Sequence, residues 1–191
     1  MTEEISEHAP WLSTVSPNEL RRIIEALYRV HRLVAAMTDL NTLLERIIEE
    51  SRTVARAEAS SLMLYDHVSD ELYFEVALGE QGDQQALKRE IRLAPGQGIA
   101  GAAAQSRESI NVPDVTREPQ WAAAADEKSK FQTRNLLAVP LLDKDKLIGV
   151  IEVLNKIDGE AFTDTDKHVM EMFSALAATA IANARLIEDN L

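Results

Sequence analysis

The sequence predicts an α+β fold, a single twisted six-stranded antiparallel sheet with helices on both faces. Three observations lead there. Six short segments carry strand chemistry, and amphipathic helix patterns stand near each end of the chain. Two apolar runs also flank the charged turn Asp143-Lys144-Asp145-Lys146, the layout of an antiparallel hairpin.

Residues 1–15 are expected to form a disordered tail, because they lack an apolar period. Ser16-Pro17-Asn18-Glu19 then reads as a helix start, with Ser16 as N-cap, Pro17 at the first helical position and Glu19 completing a capping box. The helix is assigned to residues 16–38. Leu20, Ile23, Leu27, Val30, Val34 and Met37 recur in steps of three and four. Two readings of that stripe stand: a seam for a partner helix, or a helix packed on its own domain. Thr38 or Asp39 can cap a second helix, whose wider apolar face (Leu40, Leu43, Leu44, Ile47, Ile48, Val54) suits packing on a sheet.

Strands are expected at 60–65, 72–78, 88–93, 109–112, 136–142 and 147–154. Leu72, Phe74, Val76 and Leu78 alternate with Tyr73, Glu75 and Ala77, a period of two that favours antiparallel pairing. Thr163 to Asp166 caps a last helix with acids in its first turn. That helix is expected to run to about Asn190 with a stripe of Val169, Phe173, Leu176, Ala180, Asn183 and Ile187. Asn183 either fixes register within a seam or faces solvent. A pattern reaching the chain end at Leu191 is expected of a fragment or of a short adaptor.

Composition removes several function classes. The chain has 191 residues, a formal net charge of −12, 46% hydrophobic and 27% charged residues, all ordinary for a globular domain except the acidity. Lys and Arg are nowhere concentrated, which argues against nucleic-acid binding. Without cysteine the chain has no disulfide, thiolate nucleophile, zinc-thiolate site or thioether-linked chromophore. No apolar run approaches the ~20 residues that span a bilayer, and the acidic start is unlike a secretory signal. The cytoplasm is the default location. His8, His31, His67 and His168 do not pair at metal-ligand spacing, so no metal is expected. Gly96-Gln97-Gly98-Ile99-Ala100-Gly101 is a literal GxGxxG, yet the half-charged segment before it and the absence of a following Lys-Ser/Thr fit neither a Rossmann unit nor a P-loop.

Three blocks in order carry a resemblance: Pro95 to Gly101, Phe131 to Pro140, and Asn155-Lys156 followed by Phe162 and Asp166. From about Asp39 to Ile187 the chain resembles a GAF domain, a sensor module related to PAS domains. The Asn-Lys…Phe-x-x-x-Asp spacing is similar to that of the GAF domains of cyclic-nucleotide phosphodiesterases and adenylyl cyclases. The resemblance implies a GAF domain over 39–191, with terminal helices packed together, and the apolar stripes of those helices point to a homodimer formed through them. It implies a non-catalytic regulatory role in signal transduction, with cAMP or cGMP as candidate ligand. The alternative is a ligand-free dimerisation module.

Carried over position by position, Ser61 contacts the purine edge, and the backbone at Ile99 and Ala100 lies near the phosphate. Asp126, Ser129 and Thr133 supply polar contacts from a segment that covers the pocket. Glu152 supplies an acidic one. Lys156 and Asp166 form a structural pair beside the pocket. Asp126, Ser129 and Thr133 are spaced for one helical face, and Glu152 stands out between the apolar Val150 and Leu154. Two departures accompany the match. Lys167 replaces the acid that ends the phosphodiesterase motif, and Leu78-Gly79-Glu80 replaces the aromatic and acid that follow the second strand in nucleotide-binding relatives. Trp121 either substitutes for the missing stacking surface or packs in the cover.

Overall fold

The computed structural model describes residues 10–36, 40–79, 91–119 and 130–188. Helix α1 (Pro17–Ala36) begins at a reciprocal box: the Glu19 N–H donates to Ser16 Oγ (3.3 Å), and the Ser16 N–H to Glu19 Oε2 (3.0 Å). Helix α2 (Leu40–Ala55) follows, then strands β1 (Ala57–Asp66), β2 (Glu71–Gly79) and β3 (Arg92–Leu93). Helix α3 (Gly98–Ser106) leads to β4 (Ile110–Val112), β5 (Leu136–Asp143), β6 (Lys146–Lys156) and the closing helix α4 (Asp164–Glu188). The strands form one antiparallel sheet in the order β3-β2-β1-β6-β5-β4.

The alternation of each central strand splits its side chains between two cores. Leu62 and Leu64 of β1, Leu137 and Val139 of β5, and Ile151 and Val153 of β6 face α2 and α4, packing with Ile47, Ile48, Phe173 and Ile181. Met63, Ala138 and Val150 face the other way, towards Ile99, Ala100 and Ala103 of α3. Helices therefore cover both faces, and α1 packs on α2 and α4. Both edge strands are short, which limits the unpaired ladder open to another chain. Of the expected strand at 88–93, only Arg92 and Leu93 pair, with Tyr73 and Leu72; residues 88–90 lie outside the described set.

Three expectations change. Within the expected tail, Pro10–Thr14 forms a turn of 3-10 helix, with Ser13 Oγ donating to the Pro10 carbonyl (2.7 Å). The α1 stripe is not a free seam: Ile23 and Val30 are buried on their own domain, while Leu20 (40%), Ile24 (58%) and Tyr28 (62%) are exposed. The side chain of Val34, and Met37 entirely, lie outside the described set. The α4 stripe divides likewise. Val169, Phe173 and Ala180 are buried, and Leu176, Asn183 and Ile187 are exposed. In both helices the core takes part of the apolar arc, because the helix must first cover its own sheet or its neighbour.

The end of β6 is locked to the start of α4. Lys156 Nζ lies 2.6 Å from Asp166 Oδ1, donates to the Ala55 carbonyl (3.2 Å) and sits 5.6 Å from the Phe162 ring centre. Asp166 Oδ2 meanwhile accepts the Thr163 N–H (2.9 Å), and Thr163 Oγ1 accepts the Asp166 N–H (3.1 Å). One carboxylate thus caps a helix and neutralises a cation. The pair's side chains are only 8% and 14% exposed. Removing one member strands the other charge, at a cost of about 3–5 kcal/mol. Lys156→Met is expected to lose that much in urea unfolding. Adding Asp166→Asn removes the orphaned charge but keeps a capping oxygen, so the double variant should be more stable than Lys156→Met alone.

Candidate functional site

On the α3 side of the sheet, Ser61 and Glu152 are register partners across β1 and β6, and Glu152 is in turn opposite Ala138 of β5. Ser61 Oγ lies 3.4 Å from Glu152 Oε2, and both residues are buried. A carboxylate on a face otherwise lined by Met63, Ala138 and Val150 is costly unless polar groups meet it. Ile99 and Ala100, in the first turn of α3, are buried on this same face.

The glycine motif has a steric explanation. Gly96 is left-handed (φ +83°), and its N–H donates to the Gly101 carbonyl (2.7 Å). A Cβ on Gly101 would stand 2.5 Å from the Ala94 carbonyl oxygen. The glycines thus let the first turn of α3 press against the chain leaving β3, bringing Ile99 and Ala100 over the sheet.

Thr133 is buried at the C-terminal root of the expected cover. Asp126 and Ser129, like Trp121, lie outside the described residues, as does Glu80 after β2. The structure therefore brings Ser61, Glu152, Ile99 and Ala100 to one face of the sheet, and places Thr133 just before β5.

What sequence reasoning missed is how the cover is rooted. The Val115 N–H donates to the Arg134 carbonyl (3.0 Å), joining the two ends of the segment between β4 and β5. Asn155 holds the outgoing end: its Oδ1 accepts the Arg134 N–H (2.7 Å), and its Nδ2 donates to the Gln132 carbonyl (2.9 Å) and to Glu58 Oε2 (2.9 Å). Asn135 answers from the other side, its Oδ1 accepting the Lys156 N–H (3.0 Å). The Asn155-Lys156 pair signalled this region, but nothing in the sequence distinguished the role of the amide from that of the amine. Among the described residues, no group of three or more His, Asp or Glu is arranged to hold a metal ion.

Arg134 also forks onto Glu58, with Nη2 at 2.7 Å from Oε1 and Nη1 at 3.4 Å from Oε2. That guanidinium, aided by the Asn155 amide, holds the Glu58 carboxyl below its ordinary value of 4.5 against the opposing effect of burial. A carboxylate with a depressed folded-state pKa stabilises the protein above its unfolded value and loses that contribution as pH falls through the folded value. The stability difference between wild type and Glu58→Gln should hence be full at neutral pH and shrink progressively below about pH 4.5, read from urea midpoints across a pH series.

The family model described as GAF domain matches residues 39–181. The chain is 27% identical over 187 residues to "Dual 3',5'-cyclic-AMP and -GMP phosphodiesterase 11" of Drosophila melanogaster, covering 91% of this chain and 13% of the relative. It is 28% identical over 155 residues to phosphodiesterase 11A of Takifugu rubripes, covering 78% of this chain and 17% of that protein. The chain thus spans less than a fifth of either relative's length. Among solved structures, the GAF domain of a phosphoenolpyruvate-protein phosphotransferase from Coxiella burnetii superposes with a TM-score of 0.77 at 20% identity, covering 90% of this chain and 98% of that one. A free methionine-R-sulfoxide reductase from Neisseria meningitidis superposes with a TM-score of 0.72 at 22% identity, over 90% and 95% of the two chains. These likenesses speak for the fold. With three quarters of its length matched and the sheet, glycine turn and Lys156–Asp166 lock in place, the chain belongs to the GAF domain family.

Proposed function

We propose that this chain is a non-catalytic regulatory GAF sensor that binds a cyclic nucleotide between the α3 face of the sheet and the segment from Pro113 to Phe131. The observation that carries this reading is the buried Ser61–Glu152 pair, held on an apolar face beside the first turn of α3. The names of the curated relatives supply the ligand class, since those proteins are described as acting on cyclic AMP and GMP. In this reading Ser61 and Glu152 meet the purine edge, and the backbone at Ile99 and Ala100 receives the phosphate. Thr133, Asp126 and Ser129 close over the ligand. A carboxylate only accepts hydrogen bonds, and guanine offers two adjacent donors where adenine offers one amino group. The preferred ligand is accordingly cGMP.

Binding is read out as a shift between two positions of the cover, passed through the rooted end at Asn155 and the Lys156–Asp166 lock into α4. Homodimerisation uses the apolar residues that the core leaves exposed, Leu20, Ile24 and Tyr28 on α1 with Met172, Leu176 and Ile187 on α4. No described helix is long and apolar enough to cross a membrane, and we place the protein in the cytoplasm.

Two measurements test this. Titrated with cGMP at a hundredfold excess over its Kd, the wild type should gain about 2.7 kcal/mol, raising Tm by roughly 5–10 °C. Glu152→Gln and Ser61→Ala should each blunt that rise. A flat wild-type response to both cyclic nucleotides at millimolar concentration leaves only a dimerisation module. In sedimentation velocity the wild type should run as a dimer and Ile24→Glu as a monomer; a wild type that is monomeric at high concentration defeats the dimer.

A further inference from the structure

A cleft of about 630 Å³ opens at the root of the cover, between the C-terminal end of α2, the start of β1 and the lead-in to β5. Among the described residues its lining includes three arginines, Arg52, Arg56 and Arg134, against one carboxylate, Glu58. Glu58 is taken by the Arg134 fork and the Asn155 amide. The guanidinium groups of Arg52 and Arg56 make no hydrogen bond or ion pair among the described residues. A left-handed turn at Arg56 (φ 53°) follows directly on α2 and keeps both at this cleft. Two cations gathered at one mouth, with no carboxylate partner among the described residues, stand out in a chain of net charge −12.

Service to the helix terminus does not account for them. The last carbonyls of α2 already have cationic partners: Val54 accepts from Arg22 Nη2 (3.1 Å) and Ala55 from Lys156 Nζ (3.2 Å). Surplus guanidinium groups around an open cleft match the oxygens of a phosphate, which they bond in planar, two-toothed fashion. Phe131 and Ile157, on the walls, offer apolar surface to whatever the phosphate is attached to.

We propose that this cleft is an anion site distinct from the sheet-face pocket, taking a small phosphate monoester with an apolar body. Arg52 and Arg56 grip the phosphate, and Arg134 joins them as Glu58 yields part of its fork. The carbonyl of Gln132, held by Asn155, lies in the same wall, so an occupied cleft restrains the outgoing end of the cover. The proposal stands whether or not a cyclic nucleotide binds elsewhere.

Phenyl phosphate is the probe, titrated into the full chain and followed by calorimetry and by the arginine side-chain NMR signals. The expected result is saturable binding that weakens with added salt, while benzyl alcohol shows none. The variant Arg52→Gln/Arg56→Gln should bind about tenfold or more weakly, since it loses two charge-assisted contacts. Glu58→Gln, which removes the competing carboxylate, should bind several-fold more tightly, an outcome that a purely structural Glu58 would not produce. Arg56 is exposed and Arg52 half-buried, and neither guanidinium bonds another described residue, so the double variant should melt close to wild type. No saturation in the wild type, or an unchanged affinity in the double arginine variant, overturns the proposal. So does loss of binding in Ser61→Ala or Glu152→Gln, because it moves the phosphate to the sheet face.

Discussion

The side chain of Asn155 organises the end of the domain where β6, α4 and the lead-in to β5 meet. At the end of β6 its backbone turns left-handed (φ 57°), a conformation that asparagine tolerates better than most residues. Its amide is fully engaged, the oxygen with the N–H groups of Arg134 and Asn135, the nitrogen with Glu58 and the Gln132 carbonyl. The turn directs the next residue, Lys156, inward to Asp166, and the amide clamps the returning end of the cover. A strand end, a helix start and a loop root are therefore positioned by one residue. An aspartate could not donate to the carbonyl of Gln132, and an alanine would leave buried backbone groups without a partner.

The two faces of the sheet carry different chemistry. Beneath the long helices the packing is continuous and apolar, with Phe173, Met170 and Ile181 filling the space against β5 and β6. On the α3 face Ala100, Ala103 and Ala138 pack with larger neighbours such as Phe74, Ile99 and Leu136, and the buried Ser61–Glu152 pair lies on the same face. In the reading proposed above, it is the face carrying this polar pair that meets the ligand.

Where local chemistry decides structure, the sequence was readable. Ser16 with Glu19, and Thr163 with Asp166, announce their helices, because capping needs only residues three apart. The alternation from Leu72 to Phe74 and the apolar runs around Lys144-Asp145 placed their strands. Legibility failed where distant segments meet. Arg52, Arg56, Glu58 and Arg134 acquire meaning only once β1 and the lead-in to β5 lie alongside each other. The α1 and α4 stripes were drawn as single faces, although each helix divides its apolar arc between its own core and the surface. Leu176 was grouped with Phe173, yet only Phe173 is buried, since spacing alone cannot say where along the arc the sheet lies. Of the residues the resemblance implies as ligand contacts, Ser61 and Glu152 are register partners on one face, while Asp126 and Ser129 fall outside the described residues.

The strand order carries a kinetic consequence. The middle of the sheet joins β1 to β6, and the Ser61–Glu152 contact at their junction spans 91 positions of chain. Hairpins β1–β2 and β5–β6 can zip locally, but the central ladder forms only after most of the domain has looped back on itself. Folding should accordingly be slow for a protein of this size and governed by that closure. The polar pair at the junction is then among the last contacts to form, and it reports a completed domain rather than a nascent one.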